Sequence, residues 1–286
     1  MAWTPLWSLT HQTTKYLPTA FLYFGSFSNK VSTTPACSNG LAAGNNLEEA
    51  ILQGFMELVE RDSVSIWWYN RLRRPAIDLH SFPNPYIHQL VEYYRSIGRE
   101  LWALDVTHDM GIPTFAAISR DVKGPRDDLI FGFGAHFDPQ IALLRALTET
   151  NQGVSAFLYM NGEIPEFNEE GTDWWSNATL ENQQYMAPDP TIAPRRLQDF
   201  EPRWHNDIRD DVLLCVDIAA QNGLETLVID QTQPDVGLSV AKVIVPGMRH
   251  FWRRLAPGRL YDVPVKMGWL EQPLTEEELN PYSVFI

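Results

Sequence analysis

The sequence predicts a mixed α+β fold in which β-sheets are covered by helices. Helix-like and strand-like segments alternate along the 286 residues, and no internal repeat or linker divides them. Hydrophobic residues make up 44% of the chain and aromatic residues 12%, which is enough material for a large core. We therefore expect residues 1–286 to form a single soluble domain.

The individual elements follow from the spacing of apolar residues and from the Gly and Pro residues that end each segment. Helices are predicted over residues 47–70, 83–97, 140–152 and 210–222. Strands are predicted over residues 20–27, 101–106, 114–119, 128–134, 226–230 and 240–245. The charged turn at 121–127 suits a hairpin between two of these strands. Residues 162–202 lack periodicity and are expected to form a loop, which suits a lid or a substrate loop.

The predicted helix 47–70 carries an acidic stripe. At about 100° per residue, three carboxylates and one amide fall within about 80° of one another. They belong to Glu49, Gln53, Glu57 and Glu60. Arg61 lies at the edge of this stripe, and the apolar residues occupy the opposite face. Like charges at this spacing cost roughly 0.2–0.5 kcal/mol per pair, so the stripe needs an offsetting charge.

Two interpretations of the acidic stripe remain open. Glu57 and Glu60 lie about 4.5 Å apart along the helix axis, close enough to share one divalent cation. Glu49 lies about 12 Å further back, which suits an extended anionic ligand that carries Mg²⁺ along its length. Arg61 would then bind a phosphate oxygen. The alternative is a solvated acidic face whose charges pair elsewhere.

A second helix has the same design. Asp138 and Pro139 form a helix start, because an N-cap residue is followed by one that is tolerated at the first helical position. Arg145, Glu149 and Gln152 then share one polar stripe. Taken alone, Arg145 and Glu149 would be a surface ion pair worth ~0.3–0.5 kcal/mol. Two helices of this design favour a common anionic ligand.

Three segments carry a resemblance to a known family. They are residues 38–62, residues 139–149 and residues 242–250, the last of which reads Lys-Val-Ile-Val-Pro-Gly-Met-Arg-His. Together they resemble the YcaO family, and within it the azoline-forming cyclodehydratases of ribosomal peptide natural product pathways. The resemblance extends over nearly the whole chain, from Trp7 to Pro281.

The resemblance implies that the two polar helices bind ATP and Mg²⁺. Metal-facing roles are implied for four acids, namely Glu49, Glu57, Glu60 and Glu149. Nucleotide and phosphate contacts are implied for Asn45, Glu57, Arg61, Arg145 and Gln152, with the arginines on the phosphates and Asn45 and Gln152 as supporting groups. No catalytic residue or general base is assigned.

The resemblance also implies parts of a domain that do not appear in this sequence. A complete YcaO domain has a first half that contributes further acidic and basic residues to the ATP site. We therefore expect the chain to be the C-terminal portion of such a domain. Near its end the chain carries Pro281, but Ser283 stands where the alternating prolines of the family would place a second one.

The implied activity is an ATP- and Mg²⁺-dependent cyclodehydration. A Cys, Ser or Thr side chain of a ribosomally made precursor peptide attacks the preceding backbone carbonyl, and phosphorylation of the oxyanion lets the azoline ring close. Expected partners are the precursor peptide, a leader-peptide-recognition protein and a polypeptide that supplies the missing half; a homodimer is also compatible. The rival hypothesis is a truncated non-catalytic chain that acts as a nucleotide-binding or interaction subunit.

The net charge of the chain excludes some classes of binding partner. The formal net charge of −14 argues against nucleic acid or an anionic membrane as a partner.

The sequence also predicts a cytoplasmic location. It shows neither an apolar run of ~20 residues nor a signal-peptide start. Its two cysteines are expected to be reduced, and Cys37 is either a nucleophile or a packing residue. Because the chain has no GxxxxGK motif, Gly132 and Gly134 are expected to mark a tight strand end rather than a P-loop.

Overall fold

A computed structural model of the chain describes residues 2–24, 36–124, 126–159 and 169–284. The fold is a mixture of α-helices and antiparallel β-sheets, as the sequence predicts. In chain order its elements are β1 (Trp3–Ser8), β2 (Thr13–Pro18), α1 (Thr19–Leu22), β3 (Leu41–Gly44), α2 (Leu47–Tyr69), α3 (Pro85–Ser96), β4 (Arg99–Asp105), β5 (Thr114–Asp121), β6 (Ile130–Ala135), α4 (Pro139–Tyr159), α5 (Glu169–Asn177), α6 (Ile208–Gln221), β7 (Leu227–Asp230), β8 (Ser239–Ile244) and α7 (Arg259–Lys266).

The chain divides into two compact units. The first comprises residues 1–58 and 204–248, and the second comprises residues 59–203 and 249–286. The boundary falls within the long helix α2, so some of the predicted site residues belong to the first unit and others to the second. The assignment of the whole chain to one domain stays a prediction. In the described part of the chain, no helix combines the length and the apolar character that a membrane span requires.

The first unit is built on a five-stranded antiparallel sheet with the strand order β2-β1-β7-β8-β3. Leu6, Leu22 and Ile229 contribute to a small apolar cluster within this unit. Strand β8 lies between β7 and β3, where Lys242 pairs with Ile229 on one side and with Leu41 on the other. A lysine thus occupies the middle of the sheet.

The second unit contains a three-stranded antiparallel sheet with the order β4-β5-β6. The backbones of helix α4 and strand β6 lie in close contact. A Cβ atom on Gly134 would lie 2.7 Å from the backbone nitrogen of Ala146. A Cβ atom on Gly132 would lie 2.7 Å from the carbonyl oxygen of the same residue. Both glycines lie inside β6, so the expectation of a tight strand end is wrong. They serve close packing between the helix and the strand.

A dense aromatic core fills the second unit around the end of α2. Trp67 and Trp68 are almost fully buried and form edge-to-face contacts with Tyr185 at 5.3 and 5.6 Å between ring centroids. Trp174 of α5 lies 4.9 Å from Trp68. Such pairs contribute about 0.5–1.5 kcal/mol beyond the area that they bury. The last turns of α2 are therefore held firmly in this unit.

Most predicted elements are present within a few residues of their expected bounds, but several differ. The strand expected at 20–27 is wrong in its described part, because the ladder ends at Pro18 and residues Thr19–Leu22 form one helical turn. Residues 25–27 lie outside the described residues. The helix expected at 140–152 continues to Tyr159, since Val154 and Phe157 extend its buried face.

The segment expected to be a loop, 162–202, is also partly helical. Helix α5 forms there because its Trp174 is buried in the aromatic core, which is a tertiary contact that local periodicity does not show. Residues 162–168 lie outside the described residues. No prediction covers four observed elements, namely β1, β2, β3 and α7.

Candidate functional site

The start of helix α2 is fixed by a capping arrangement that includes two predicted site residues. The side-chain oxygen of Asn46 accepts a hydrogen bond from the backbone N–H of Glu49 at 2.8 Å, as an N-cap residue does. The Glu49 carboxylate in turn accepts hydrogen bonds from the backbone N–H and from the Nδ2 of Asn45, both at 2.8 Å. Asn45 thus orients the Glu49 carboxylate, and its supporting role toward a nucleotide stays a prediction.

Glu57 lies two turns further along α2 and is half-buried. Its Oε2 accepts a hydrogen bond from the backbone N–H of Gly40 at 2.9 Å. Gly40 has a φ of +77°, and a Cβ atom there would collide with the carbonyl oxygen of Val243. The glycine is therefore required both by its backbone conformation and by the lack of space.

Sequence reasoning missed Lys242, which belongs to the same unit as Glu57. Its side chain is only 2% exposed, and its Nζ donates hydrogen bonds to the carbonyl oxygens of Cys37 at 2.6 Å and Asn39 at 3.4 Å. Burial lowers the pKa of Lys242, whereas the charges of Cys37 and Glu57 raise it. The signal was present in the sequence, since this lysine interrupts an otherwise apolar strand.

In the second unit the structure brings Glu60 close to Arg145. Burial lowers the pKa of the Arg145 guanidinium below its ordinary value, and the charge of Glu60 offsets part of this lowering. The Nη1 of Arg145 also donates a hydrogen bond to the carbonyl oxygen of Ala135 at 3.2 Å. Within this unit, Glu60 of one polar helix is therefore close enough for its charge to act on Arg145 of the other, and a ligand common to both helices stays a prediction.

The remaining predicted residues of α4 differ in their exposure. Glu149 is half-buried, and its carboxylate accepts a short hydrogen bond from the backbone N–H of Phe133. Gln152 is exposed one turn further on. Strand β6 therefore contributes backbone groups that orient the side chains of both Arg145 and Glu149.

Arg61 is half-exposed and lies against an aromatic ring. Its guanidinium carbon is 4.3 Å from the centroid of Phe251, which is a cation–π contact. Phe251 is itself 5% exposed and accepts at its carbonyl oxygen a hydrogen bond from Tyr69. The ring thereby fixes the direction of the Arg61 side chain, and sequence spacing gave no sign of this partner.

The residue after Arg61 is the centre of a buried charge network that was also missed. Asp62 is fully buried and accepts two hydrogen bonds from the Arg259 guanidinium, at 2.9 and 2.7 Å, and one from the backbone N–H of Arg249 at 2.7 Å. The Nε2 of His108 lies 3.0 Å from the same carboxylate. Burial alone would raise the pKa of Asp62, but the contacts of His108 and Arg259 lower it to about 2.

Arg259 also binds a second acid. Its guanidinium lies 2.7 Å from the carboxylate of Asp109, which contacts Lys266 at 2.9 Å. Burial lowers the pKa of Arg259, but the charge of Asp62 and the hydrogen bond to Asp109 raise it above its ordinary value. This network balances its own charges, so nothing in it calls for an external ion.

The donor chemistry of the predicted acids suits magnesium that arrives on phosphates. Among the residues that the structure describes, no three His, Cys, Asp or Glu side chains form a group that could hold a metal ion by themselves. Mg²⁺ is commonly bound by one or two carboxylates together with substrate phosphates rather than by a cage of protein ligands. Glu49, Glu57, Glu60 and Glu149 supply such oxygens, and their assignment to metal stays a prediction.

Comparison with known proteins places this chain in a family. The family model for YcaO cyclodehydratases, described as ATP- and Mg²⁺-binding, matches residues 1–249. The chain therefore belongs to the YcaO cyclodehydratase family. The resemblance of the three sequence segments is confirmed at this level.

Two solved structures and one curated relative are similar to the chain. A heterocyclase in complex with substrate and cofactor is 55% identical with a TM-score of 0.94, and the heterocyclase TruD is 53% identical with a TM-score of 0.90. Each match covers 99% of this chain but only 38% and 39% of the solved chains. An uncharacterised protein of Methanothermobacter thermautotrophicus is 33% identical over 219 residues, which are 75% of this chain and 56% of the relative.

Proposed function

We propose that this chain takes part in the cyclodehydration of Cys, Ser or Thr residues to azolines in a ribosomally made precursor peptide. The observation that carries the proposal is the identity of 55% and 53% to two heterocyclase structures over nearly all of this chain. The family to which the chain belongs is described as ATP- and Mg²⁺-binding. The polar residues of α2 and α4 are the groups that we assign to these ligands.

The proposed reaction removes one water from the peptide for each ring. A Cys thiol or a Ser or Thr hydroxyl loses its proton and adds to the preceding backbone carbonyl, whose oxygen becomes an oxyanion. That oxygen takes up the γ-phosphoryl group of ATP and leaves as phosphate when the C=N bond of the azoline forms and the amide nitrogen loses its proton. Phosphorylation matters because an amide oxygen is a poor leaving group and phosphate is a stable anion.

The residues have separate roles in this proposal. Arg145 and Arg61 would offset the negative charge of the phosphates, which is the main contribution that a protein makes to phosphoryl transfer. Glu49, Glu57, Glu60 and Glu149 would hold Mg²⁺, which when bound neutralises charge on the phosphate oxygens. Asn45 would keep Glu49 oriented, in line with its hydrogen bonds. None of the acids is assigned as the general base.

The proposed partners follow from the same argument. They are the precursor peptide, a protein that recognises its leader, and a further polypeptide that contributes residues to the ATP site. The chain spans 38% and 39% of the length of the two heterocyclases. We further propose a cytoplasmic location, a role in bacteriocin-like peptide maturation, and a homodimer as one assembly to test.

The experiment is a reconstitution read out by mass spectrometry. The purified chain is mixed with ATP, Mg²⁺ and a candidate precursor peptide, with and without the products of neighbouring genes. The proposal expects the peptide to lose the mass of one water per ring, and Glu60→Gln to prevent this loss. A complete mixture that binds ATP but forms no ring would instead favour the non-catalytic, nucleotide-binding subunit.

A further inference from the structure

Lys242 is an unusual residue for its position in the first unit. It lies in the middle of β8, and its neighbours Ala241 and Val243 are fully buried. A buried ammonium group is unfavourable unless hydrogen bonds and an opposite charge compensate for the loss of water. A lysine in such a place is therefore expected to hold something specific rather than to fill space.

The contacts of Lys242 identify what it holds. Its Nζ donates to two carbonyl oxygens of one short segment, those of Cys37 at 2.6 Å and Asn39 at 3.4 Å. Glu57 is close enough for its charge to act on the ammonium group. The segment 37–40 is thus bound by a cation of the sheet.

Helix α2 and the backbone of β8 also bind this segment. The backbone N–H of Gly40 donates to Glu57 at 2.9 Å, and its carbonyl oxygen accepts from the N–H of Val243 at 2.7 Å. Helix α2 approaches closely, because a Cβ atom on Gly54 would lie 2.6 Å from that carbonyl oxygen. The position of the Gly40 amide, and with it one hydrogen bond of the Glu57 carboxylate, depends on how the segment is held.

We propose that Lys242 is a positioning residue for the nucleotide and metal site: it holds segment 37–40 in place, and through the Gly40 amide it orients the Glu57 carboxylate. The inference rests on the proposed function, because the ligand that Glu57 would meet is Mg²⁺ on ATP. Lys242 itself donates to backbone carbonyls and is not assigned a contact with the ligand.

The test uses Lys242→Met, which removes the ammonium group but keeps a long side chain. We expect hydrogen exchange at the Gly40 amide to become at least about tenfold faster, because the segment loses the two hydrogen bonds that the Lys242 ammonium group donates to it. We expect binding of ATP in the presence of Mg²⁺, measured by calorimetry, to weaken at least about tenfold. Lys15→Met is the matched control, since Lys15 carries the same charge on the same sheet but is half-exposed and pairs with Glu225 at 3.7 Å.

A double variant separates positioning from general stability. If Lys242 acts through Glu57, then Lys242→Met combined with Glu57→Gln binds ATP no more weakly than Glu57→Gln alone. If the double variant binds ATP more weakly than Glu57→Gln by the factor that Lys242→Met alone costs, the inference is overturned. Wild-type ATP affinity in Lys242→Met, or an unchanged exchange rate at its Gly40 amide, would overturn it as well. If Lys242→Met does not fold, Lys242→Arg replaces it, and weaker ATP binding is expected because a larger, planar cation cannot reproduce the 2.6 Å contact.

Failure of the proposed function gives a different result. A wild-type chain that does not bind ATP with Mg²⁺, even with its partner polypeptides, would overturn that function. The hydrogen exchange at Gly40 would still decide whether Lys242 holds the segment. If the wild-type chain binds ATP and Lys242→Met binds it equally well, only the inference about Lys242 is overturned, and the proposed function is not.

Discussion

Two acids that are neighbours on helix α2 are treated in opposite ways by the protein. Asp62 is fully buried, and its carboxylate is compensated by Arg259, by the backbone of Arg249 and by His108. Glu60, two residues earlier, is half-exposed and lies near Arg145. The same chemical group thus appears once inside a closed network and once on an accessible polar stripe.

The difference shows how to tell a structural acid from a candidate ligand-binding acid. A buried carboxylate that pairs with an arginine and accepts further hydrogen bonds inside the protein stabilises the fold and is not available to a metal. A half-exposed carboxylate that shares a stripe with other acids keeps part of its oxygen surface accessible. Sequence spacing alone does not separate the two, because burial and long-range partners decide between them.

Asp62→Ala should have the largest effect on stability. Removing one partner of a buried ion pair leaves the other uncompensated, so we expect a loss of about 3–5 kcal/mol in the free energy of unfolding. Denaturant titration followed by tryptophan fluorescence measures it. Glu48→Ala, an exposed acid in the first turn of the same helix, is the control and should cost less than about 1 kcal/mol. Equal losses in the two variants would contradict the comparison.

The second largest effect should be the contribution of Asp62 to the pH dependence of the free energy of unfolding. Its pKa is lowered from 3.8 to about 2 in the folded protein, so the ionised form is favoured by folding. This contribution, on the order of 2 kcal/mol, is fully present above the unfolded pKa and is lost as the pH falls through the folded pKa. Unfolding measured from about pH 5 to about pH 2 should therefore show a shallower decline in Asp62→Asn than in the wild type. Parallel curves would argue against a lowered pKa.

Asn46→Ala should have a smaller effect that is local to the start of α2. The variant removes the N-cap acceptor for the Glu49 N–H, which typically costs about 1 kcal/mol. Hydrogen exchange at the Glu49 amide should accelerate, while the aromatic core of the second unit keeps its protection. Asn46→Asp, which keeps an acceptor, should restore the protection. If Asn46→Ala leaves the exchange rate of the Glu49 amide unchanged, the cap is not required.

Glu60→Gln should have the smallest effect on stability. Because Glu60 is half-exposed, we expect the free energy of unfolding to change by less than about 1 kcal/mol, in contrast to Asp62→Ala. Thermal unfolding of both variants on the same preparation measures the contrast. A loss as large as that of Asp62→Ala would place Glu60 among the structural acids and would break the comparison.

The sequence predicted the four longest described helices of this chain, α2, α3, α4 and α6, but it predicted the shorter helices and the long-range contacts poorly. Helix α2 is found at Leu47–Tyr69 where 47–70 was expected, because apolar periodicity and an N-cap are local signals. The stripe of Glu57 and Glu60 is local too. Arg259 could not be assigned to Asp62 from the sequence, because 197 residues separate them and only the fold brings them together.

Lys242 is an intermediate case. Its position in an apolar strand was visible in the sequence, but its partners Cys37 and Asn39 lie about 200 residues earlier in the chain. Helix α5 was missed for a similar reason, since Trp174 is stabilised by contacts with the aromatic core rather than by local periodicity. Spacing identifies candidate residues, and the structure decides which of them have partners.

The most direct test of the central claim is calorimetric titration with ATP in the presence of Mg²⁺. We expect Glu60→Ala and Arg145→Ala each to weaken ATP binding by about 2 kcal/mol or more, close to 30-fold, because each variant removes one partner from a partly buried charged site. Glu92→Ala and Arg95→Ala, an exposed pair on α3, are matched controls that should bind as the wild type does. Wild-type affinity in both Glu60→Ala and Arg145→Ala would contradict the assignment of the site.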